Sequence, residues 1–334
     1  MVQSKMIFSF YTNPGDLNLE SGYGLAGYGI CSTLQRLGHK VHFDDPAAPV
    51  QINFCQPPFV AGNIRKNQHN IWLAVWESDL FHEDWYETIK EFDSIWTASD
   101  WCKDMLEDNG LKVSQVYPHG ITPDWKPLKR KPQNKLRFLH DGEPAVRKGG
   151  QVAFDAFRAA FGDKDDVELT IKAKRSSLIR EYDRNGSITG LPDRHQNVKI
   201  VTQIMELSQV IGLYHSHHVM VCPSYGEGFG FPALQGLATG MPTIATSEWA
   251  HYRTHLEPLG LASDYIESPW PTVHPGKVLK PDFDDLVDKY RYAYDNYDRL
   301  SNEFFNKSWM VHEEYDWTKL TEKSFKNIIE QFSS

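Results

Sequence analysis

Residues 219 to 245 constrain the chain more tightly than any other stretch. Val219-Met-Val-Cys222 is a short apolar run stopped by Pro223, the pattern of a buried strand. Pro232 to Ala238 has the first-turn proline and apolar spacing of a helix closed by Gly240. The loop between them carries Gly226, Gly228 and Gly230, which lack Cβ atoms and so let backbone N–H groups approach a ligand at the positive end of the following helix. That arrangement suits an anionic or hydroxyl-rich ligand. Glu227 is the loop's one charged side chain; a carboxylate there either accepts hydrogen bonds from sugar hydroxyls or stands as a solvated turn residue. Gln235 follows two helical turns into the next element, on the side of the loop.

The run Pro223-Ser-Tyr-Gly-Glu-Gly-Phe-Gly-Phe-Pro232, with Ala238-Thr-Gly-Met-Pro-Thr-Ile-Ala245 after it, resembles the signature of the retaining nucleotide-sugar glycosyltransferases of family four, "glycosyl transferases group 1", which have the two-domain GT-B fold. The resemblance implies that Glu227 contacts hydroxyls of the donor sugar and that Gly228, Phe229 and Gly230 line the donor site. The family's second carboxylate, which binds the ribose, falls at Gln235, and an amide cannot give a diol two charge-assisted bonds. A second segment, His140-Asp-Gly-Glu-Pro-Ala-Val-Arg-Lys-Gly-Gly150, is similar to the family's Gly-Arg, four residues, Lys-Gly, with Gly142 and Lys148-Gly149 in frame. Glu143 stands where the family has arginine. The phosphate role therefore passes to Lys148, with Arg147 as the substitute cation. Two cations at a helix start oppose the macrodipole, which argues for an anionic ligand.

Met6 to Phe10, a loop from Thr12, the glycines after Ser21, a helix to about Leu37 and Lys40 to Phe43 give strand, loop, helix, strand, the opening of a parallel α/β domain. The glycines do not fit G-x-G-x-x-G. By the resemblance Gly22, Tyr23 and Gly24 face the cleft between domains. The strand Ile71 to Val75 leads to Glu77, near where the family has an acceptor-side histidine; it reads as a general base or acceptor clamp, or as a capping or salt-bridging carboxylate. Pro118-His119-Gly120-Ile121 resembles the family's Pro-x-Gly-Val and puts His119 at the cleft, against a purely structural reading. Lys172, Lys174 and Arg175 follow the strand Val167 to Ile171 and serve phosphate, acceptor or only solvent. His215, His217 and His218 match no standard metal spacing, and Asp282-Phe-Asp284 precedes an apolar-periodic helix and reads as its cap.

The expected architecture is α/β, two Rossmann-like domains of the GT-B type: residues 1–125 on the acceptor side, a linker at 126–135 whose Lys126, Lys129, Arg130 and Lys131 are solvated or meet a phosphate-bearing acceptor, a nucleotide-sugar domain at 136–312, and a closing helix at 313–334 that crosses back. No apolar run approaches the length of a membrane span and no signal-peptide region opens the chain, so a cytoplasmic protein is expected. Four scattered cysteines lack Cys-x-x-Cys spacing, and a net charge of −9 opposes DNA as partner without excluding it. The overall pattern looks like the short family members found in bacteriophage genomes, which implies a hydroxymethylated DNA base, a virion protein or a glycan as acceptor, in the host cytoplasm. The expected donor is a UDP-sugar, used as cosubstrate with no other cofactor and no obligatory metal. Two other readings remain at this point: a non-catalytic nucleotide-sugar or carbohydrate-binding protein of the same fold, and a nicotinamide oxidoreductase, opposed by the missing fingerprint.

Overall fold

The computed structural model describes residues 5–12, 19, 21–57, 63–142, 145–173 and 196–332. Glu143, Lys174 and Arg175 lie outside the described residues. Two compact units divide the chain: Met1–Trp76, Leu80–Thr122 and Tyr315–Ser334 form the first, Glu77–Asp79 and Pro123–Glu314 the second.

In the first unit, β1 (Ile7–Tyr11), β2 (Lys40–Phe43), β3 (Val50–Asn53), β4 (His69–Ala74), β5 (Ser94–Thr97) and β6 (Gln115–Val116) make one parallel sheet in the order β2-β1-β3-β4-β5-β6. Its helices are α1 (Gly22–Arg36), α2 (Glu83–Lys90), α3 (Asp100–Asp108) and the last of the chain, α10 (Trp317–Phe332). Strand β3 is buried along its whole length, as expected of a parallel strand covered on both faces. Its two polar members are linked, Gln51 Nε2 donating to Asn53 Oδ1 at 3.0 Å, and each also donates to a backbone carbonyl, Gln51 to Asn63 and Asn53 to Ile71.

The glycines after Ser21 are not a loop. Ser21 caps α1, its hydroxyl accepting from Gly24 N at 2.9 Å, so Gly22 to Gly24 form the first helical turn. Packing explains a later glycine of the same helix. A Cβ on Gly29 would fall 2.3 Å from the Trp317 indole, and one on Gly120 would fall 2.6 Å from it. These two bare positions let α10 lie against the sheet, where Phe325 meets Phe8 and Trp96 edge-on and Thr321 hydrogen-bonds Tyr117 at 2.7 Å.

In the second unit, β7 (Leu136–Asp141), β8 (Val167–Lys172), β9 (Val198–Val201), β10 (Val219–Cys222), β11 (Thr243–Thr246) and β12 (Gly260–Leu261) form a parallel sheet ordered β12-β11-β10-β7-β8-β9. Helices α4 (Gly150–Phe161), α5 (Leu207–His215), α6 (Phe231–Ala238), α7 (Arg253–Leu256), α8 (Phe283–Asp295) and α9 (Tyr297–Glu314) accompany it. The chain runs outward from β7 through β8 and β9, then returns to β10 on the other side. The sheet therefore reverses direction between β7 and β10, and the crevice beyond the carboxyl ends at such a switch point is where open α/β sheets take ligands. Phe138, Phe157, Phe161 and Tyr290 pack as one aromatic cluster under α4 and α8.

Two local expectations change. Trp270 to Pro281, whose prolines suggest a loop, contains β14 (Lys277–Pro281), paired antiparallel with β13 (Ser263–Glu267); Pro281 sits at the strand's end, where its missing N–H is tolerated. Arg130 is not solvated. It is buried, its Nη1 donating to the carbonyls of Leu128 and Thr239 at 2.9 and 2.8 Å, and burial brings its guanidinium down to about 10. Asp282 caps α8 by accepting from Asp285 N at 2.8 Å. Among the described residues no helix is long and apolar enough to cross a membrane.

Gly29→Ala gives an expected outcome opposite to helix propensity. Alanine in a helix interior ordinarily stabilises by about 1 kcal/mol; here overpacking against Trp317 should cost about 1–3 kcal/mol. A urea midpoint measures it: Gly29→Ala should lower it, and Trp317→Leu in the same chain should recover part of the loss. A raised midpoint in the single variant would contradict the packing.

Candidate active site

The switch point brings together two loops far apart in sequence. Strand β7 ends at Asp141, and after it come Gly142, a 3-10 turn at Val146–Lys148, and Gly149, whose φ of +74° caps α4. After β10 come Pro223 and the glycine loop, ending at Gly230 with φ of +80°, the cap of α6. The loops touch at backbone level. A Cβ on Gly149 would fall 2.0 Å from the carbonyl oxygen of Pro223, so only glycine fits there by both space and dihedral angle. Tyr225 N donates to Arg147 O at 2.8 Å, and Arg147 Nη1 donates to Gly226 O at 2.7 Å. Gly226 in turn lies so near the Glu77 carbonyl that a Cβ would be 2.2 Å from it. Trp249 Nε1 and Thr246 Oγ1 donate to Ser224 O, and Tyr252 donates its phenolic O–H to Gly230 O, fixing the loop from below.

Four charges converge on this frame. Lys148 Nζ lies 2.8 and 2.7 Å from the two carboxylate oxygens of Glu227. Arg147 Nη1 is 3.7 Å from Glu227 Oε2 and 3.5 Å from Glu77 Oε1, and His274 Nδ1 is 3.7 Å from Glu77 Oε2. The Glu227 side chain is 9% exposed and those of Lys148, Arg147 and Glu77 are each 19% exposed, so these are largely desolvated pairs. Burial pushes the Glu77 carboxyl up, but Arg147, His274 and Lys148 together pull it further down, below its ordinary value. A carboxyl held down in this way is a poor proton acceptor near neutrality. Glu77 thus acts here as the partner of Arg147. Glu227 is no solvated turn residue.

A second polar group lies beside the first, and two of its members, Asp141 and Tyr214, were not legible in the sequence. Lys172 Nζ is 3.1 Å from Asp141 Oδ1, across the β7–β8 register that pairs the two residues. The fully buried Tyr214 places its hydroxyl 2.9 Å from Asp141 Oδ2 and 3.3 Å from Gln235 Oε1. Lys172 is therefore an ion-pair partner of Asp141. Asp141, Lys148, Glu227, Gly230, Cys222 and Trp249 line one small pocket. His140, also at its wall, hydrogen-bonds Val221 O through Nδ1 at 2.9 Å, and burial lowers its imidazole from the ordinary value. Burial, with Glu227 and Asp141 nearby, pushes the Cys222 thiol well up and makes it a poor nucleophile.

Other candidates fall elsewhere. Gly22, Tyr23, Gly24 and His119 belong to the first unit. Gly22 is exposed at the start of α1, Gly24 is buried, and the Tyr23 ring lies 4.9 Å from that of Phe54. His119 is buried beside Phe54 and Trp317, and burial carries its imidazole down to about 3. Gly228 and Phe229 are buried within the glycine loop. The three clustered histidines turn to separate partners: His215 to Lys126 O, His217 to Leu213 O and Thr170 Oγ1, His218 to Arg137 N. Among the described residues no three His, Cys, Asp or Glu side chains gather as a metal site.

Comparison with known proteins gives this scaffold its class. Residues 136–256, which include both loops, match the family model "Glycosyl transferases group 1". A D-inositol 3-phosphate glycosyltransferase of Arthrobacter sp. (strain FB24) is 29% identical over 145 residues, which is 39% of this chain and 33% of that protein. The chain thus matches about a third of the length of this curated relative. Among solved structures, the sucrose-phosphate synthase of Thermosynechococcus elongatus superposes with a TM-score of 0.69 at 13% identity, covering 98% of both chains. The pneumococcal O-GlcNAc transferase GtfA, in complex with UDP and GlcNAc, superposes with a TM-score of 0.58 at 16% identity over 84% of this chain and 56% of its own. The fold is GT-B, with a parallel six-stranded sheet in each unit.

His119 at about 3 and His217 and His218 at about 4 lie below the ordinary histidine value of 6.5. The unfolded chain then binds more protons than the native one between about pH 6.5 and 4, so stability is intact above that window and falls as pH drops through it. His119→Asn should flatten the decline, measured by urea unfolding at stepped pH, by up to about 1.4 kcal/mol per pH unit. An unchanged slope would contradict a neutral buried His119.

Proposed function

We propose that the chain is a glycosyltransferase that moves a sugar from a nucleoside-diphosphate donor to a hydroxyl acceptor, with retention of anomeric configuration. The observation that carries this reading is the Lys148–Glu227 pair, 2.7–2.8 Å apart at the start of α4, with Arg147 beside it. The group 1 match over residues 136–256 supports it from an independent direction.

On this reading the diphosphate replaces Glu227 as the partner of Lys148 and Arg147, at the N-terminus of α4 where N–H groups and the helix dipole favour negative charge. Glu227, released, accepts hydrogen bonds from hydroxyls of the donor sugar. As the bond from the anomeric carbon to the phosphate oxygen breaks, negative charge grows on the departing diphosphate and positive charge on the ring. Two preorganised cations on the one and a carboxylate near the other stabilise that separation. Glu77 keeps Arg147 aimed at the site. UDP is the first nucleotide to try, since a neighbour of the same fold is described in complex with it. A hydroxymethylated DNA base, a virion protein and a glycan are the acceptor classes to test, in an intracellular setting, and the net charge of −9 ranks DNA last. Lys148 and Arg147 do the work a divalent ion would otherwise do at the diphosphate, so chelator should leave turnover unchanged.

A thermal-shift series with UDP-, GDP-, ADP- and dTDP-sugars tests the reading. A ligand at a hundred times its Kd adds about 2.7 kcal/mol to native stability. One nucleotide series should raise Tm, and Lys148→Ala should abolish the rise. A shift that survives Lys148→Ala, or no shift with any series, would overturn it.

A further inference from the structure

Asp141 is a carboxylate that the reading above does not use. It stands at the carboxyl end of β7, at the switch point, in the wall of the pocket that also holds Lys148 and Glu227. Its side chain is 13% exposed and that of its partner Lys172 is 9% exposed. A buried ion pair is seldom a net source of stability compared with apolar packing, so its presence in a pocket wall asks for another reason.

The hydrogen-bond count supplies one. Tyr214 has a single hydroxyl proton, yet its oxygen lies within reach of both Asp141 Oδ2, at 2.9 Å, and the Gln235 amide, at 3.3 Å. The ionised carboxylate only accepts, so the proton goes to Asp141. The longer contact is to the neutral amide oxygen of Gln235, so the charged acceptor of this corner is Asp141. A carboxylate offers about four lone-pair positions. Among the described residues Lys172 occupies one position on Oδ1 of Asp141 and Tyr214 one on Oδ2, leaving one on each for a ligand.

We propose that Asp141, oriented by Lys172 and Tyr214, recognises the 2′,3′-diol of the donor's ribose and makes the site selective for ribonucleotides. This rests on the nucleotide-sugar reading, in which Glu227 is assigned to the transferred sugar and Asp141 is the remaining carboxylate of the pocket wall. Two adjacent hydroxyls donating to the two oxygens of one carboxylate match it in geometry, and both bonds are charge-assisted. Loss of the 2′-hydroxyl removes one of them.

The test is titration calorimetry with UDP and 2′-deoxy-UDP, repeated with the GDP and ADP pairs, on the wild type, Lys148→Ala, Asp141→Asn and the double variant Asp141→Asn/Lys172→Met. The double variant removes both buried charges and guards against a folding defect in the single one; a thermal melt of each confirms the fold. For the pair that binds, the wild type should prefer the ribonucleotide by about tenfold or more, as expected for one hydrogen bond to a charged group. Both Asp141 variants should weaken ribonucleotide binding by more than that factor, weaken the deoxynucleotide, which loses only its 3′-hydroxyl bond, by less, and bring the ratio close to one. Binding that Lys148→Ala abolishes, with a ribo-to-deoxy ratio indifferent to Asp141, overturns this proposal alone. Wild-type binding to none of the nucleotides, or binding that Lys148→Ala leaves intact, overturns the nucleotide-sugar reading and this proposal with it.

Discussion

Charge neutralisation between two loops is the constraint on which the second unit's site depends. Lys148 and Arg147 cannot remain largely buried without anions, and Glu227 and Glu77 supply them at 2.7–3.7 Å. Removing one member of such a pair typically costs about 3–5 kcal/mol, because the other is left buried and uncompensated. The backbone makes the closeness possible. Gly149 against Pro223 and Gly226 against Glu77 are contacts that any Cβ would prevent, and they bring the end of β7 within side-chain reach of the loop after β10. The strand order supplies the rest, since only neighbours at a reversal of direction present two loops on one crevice.

The same economy of charge accounts for the second polar group. Asp141 and Lys172 pair across adjacent strands, and Tyr214 joins them to Gln235 on α6. Among the described residues the site thus contains three carboxylates and three cations in two clusters. On the proposed reading an incoming dianion displaces Glu227 from Lys148, which sets a threshold for binding and leaves Glu227 free for another partner.

Much of this was legible because apolar runs and glycine placement carry the signal directly. Val219–Cys222, Gly230 and α6 fall where periodicity and the proline put them, and Lys148 and Arg147 stand out because cations before a helix conflict with its dipole. Asp141 was missed because a lone acid at a strand end reads as solvated until its partners on β8 and α5 are known. The hairpin of β13 and β14 was hidden by the prolines of the connection between its strands, Pro269, Pro271 and Pro275. Gly22 to Gly24 look like a ligand loop in sequence, whereas Ser21 recruits them into α1, and the reason for Gly29 and Gly120 is an indole near the other end of the chain. Arg130 reads as solvated because its carbonyl partners include one on Thr239, which no local pattern reveals.

The central claim is that Glu227 and the donor diphosphate compete for Lys148. The most direct measurement is the affinity of UDP for Glu227→Gln relative to the wild type, taken with turnover of the same variant. Removing the competing charge should tighten UDP binding by at least tenfold, about 1.4 kcal/mol and within the about 3–5 kcal/mol that an uncompensated buried charge costs, while transfer of the sugar is lost. Weaker UDP binding in Glu227→Gln would mean that Glu227 helps hold the nucleotide, and would contradict the exchange of partners on which the account rests.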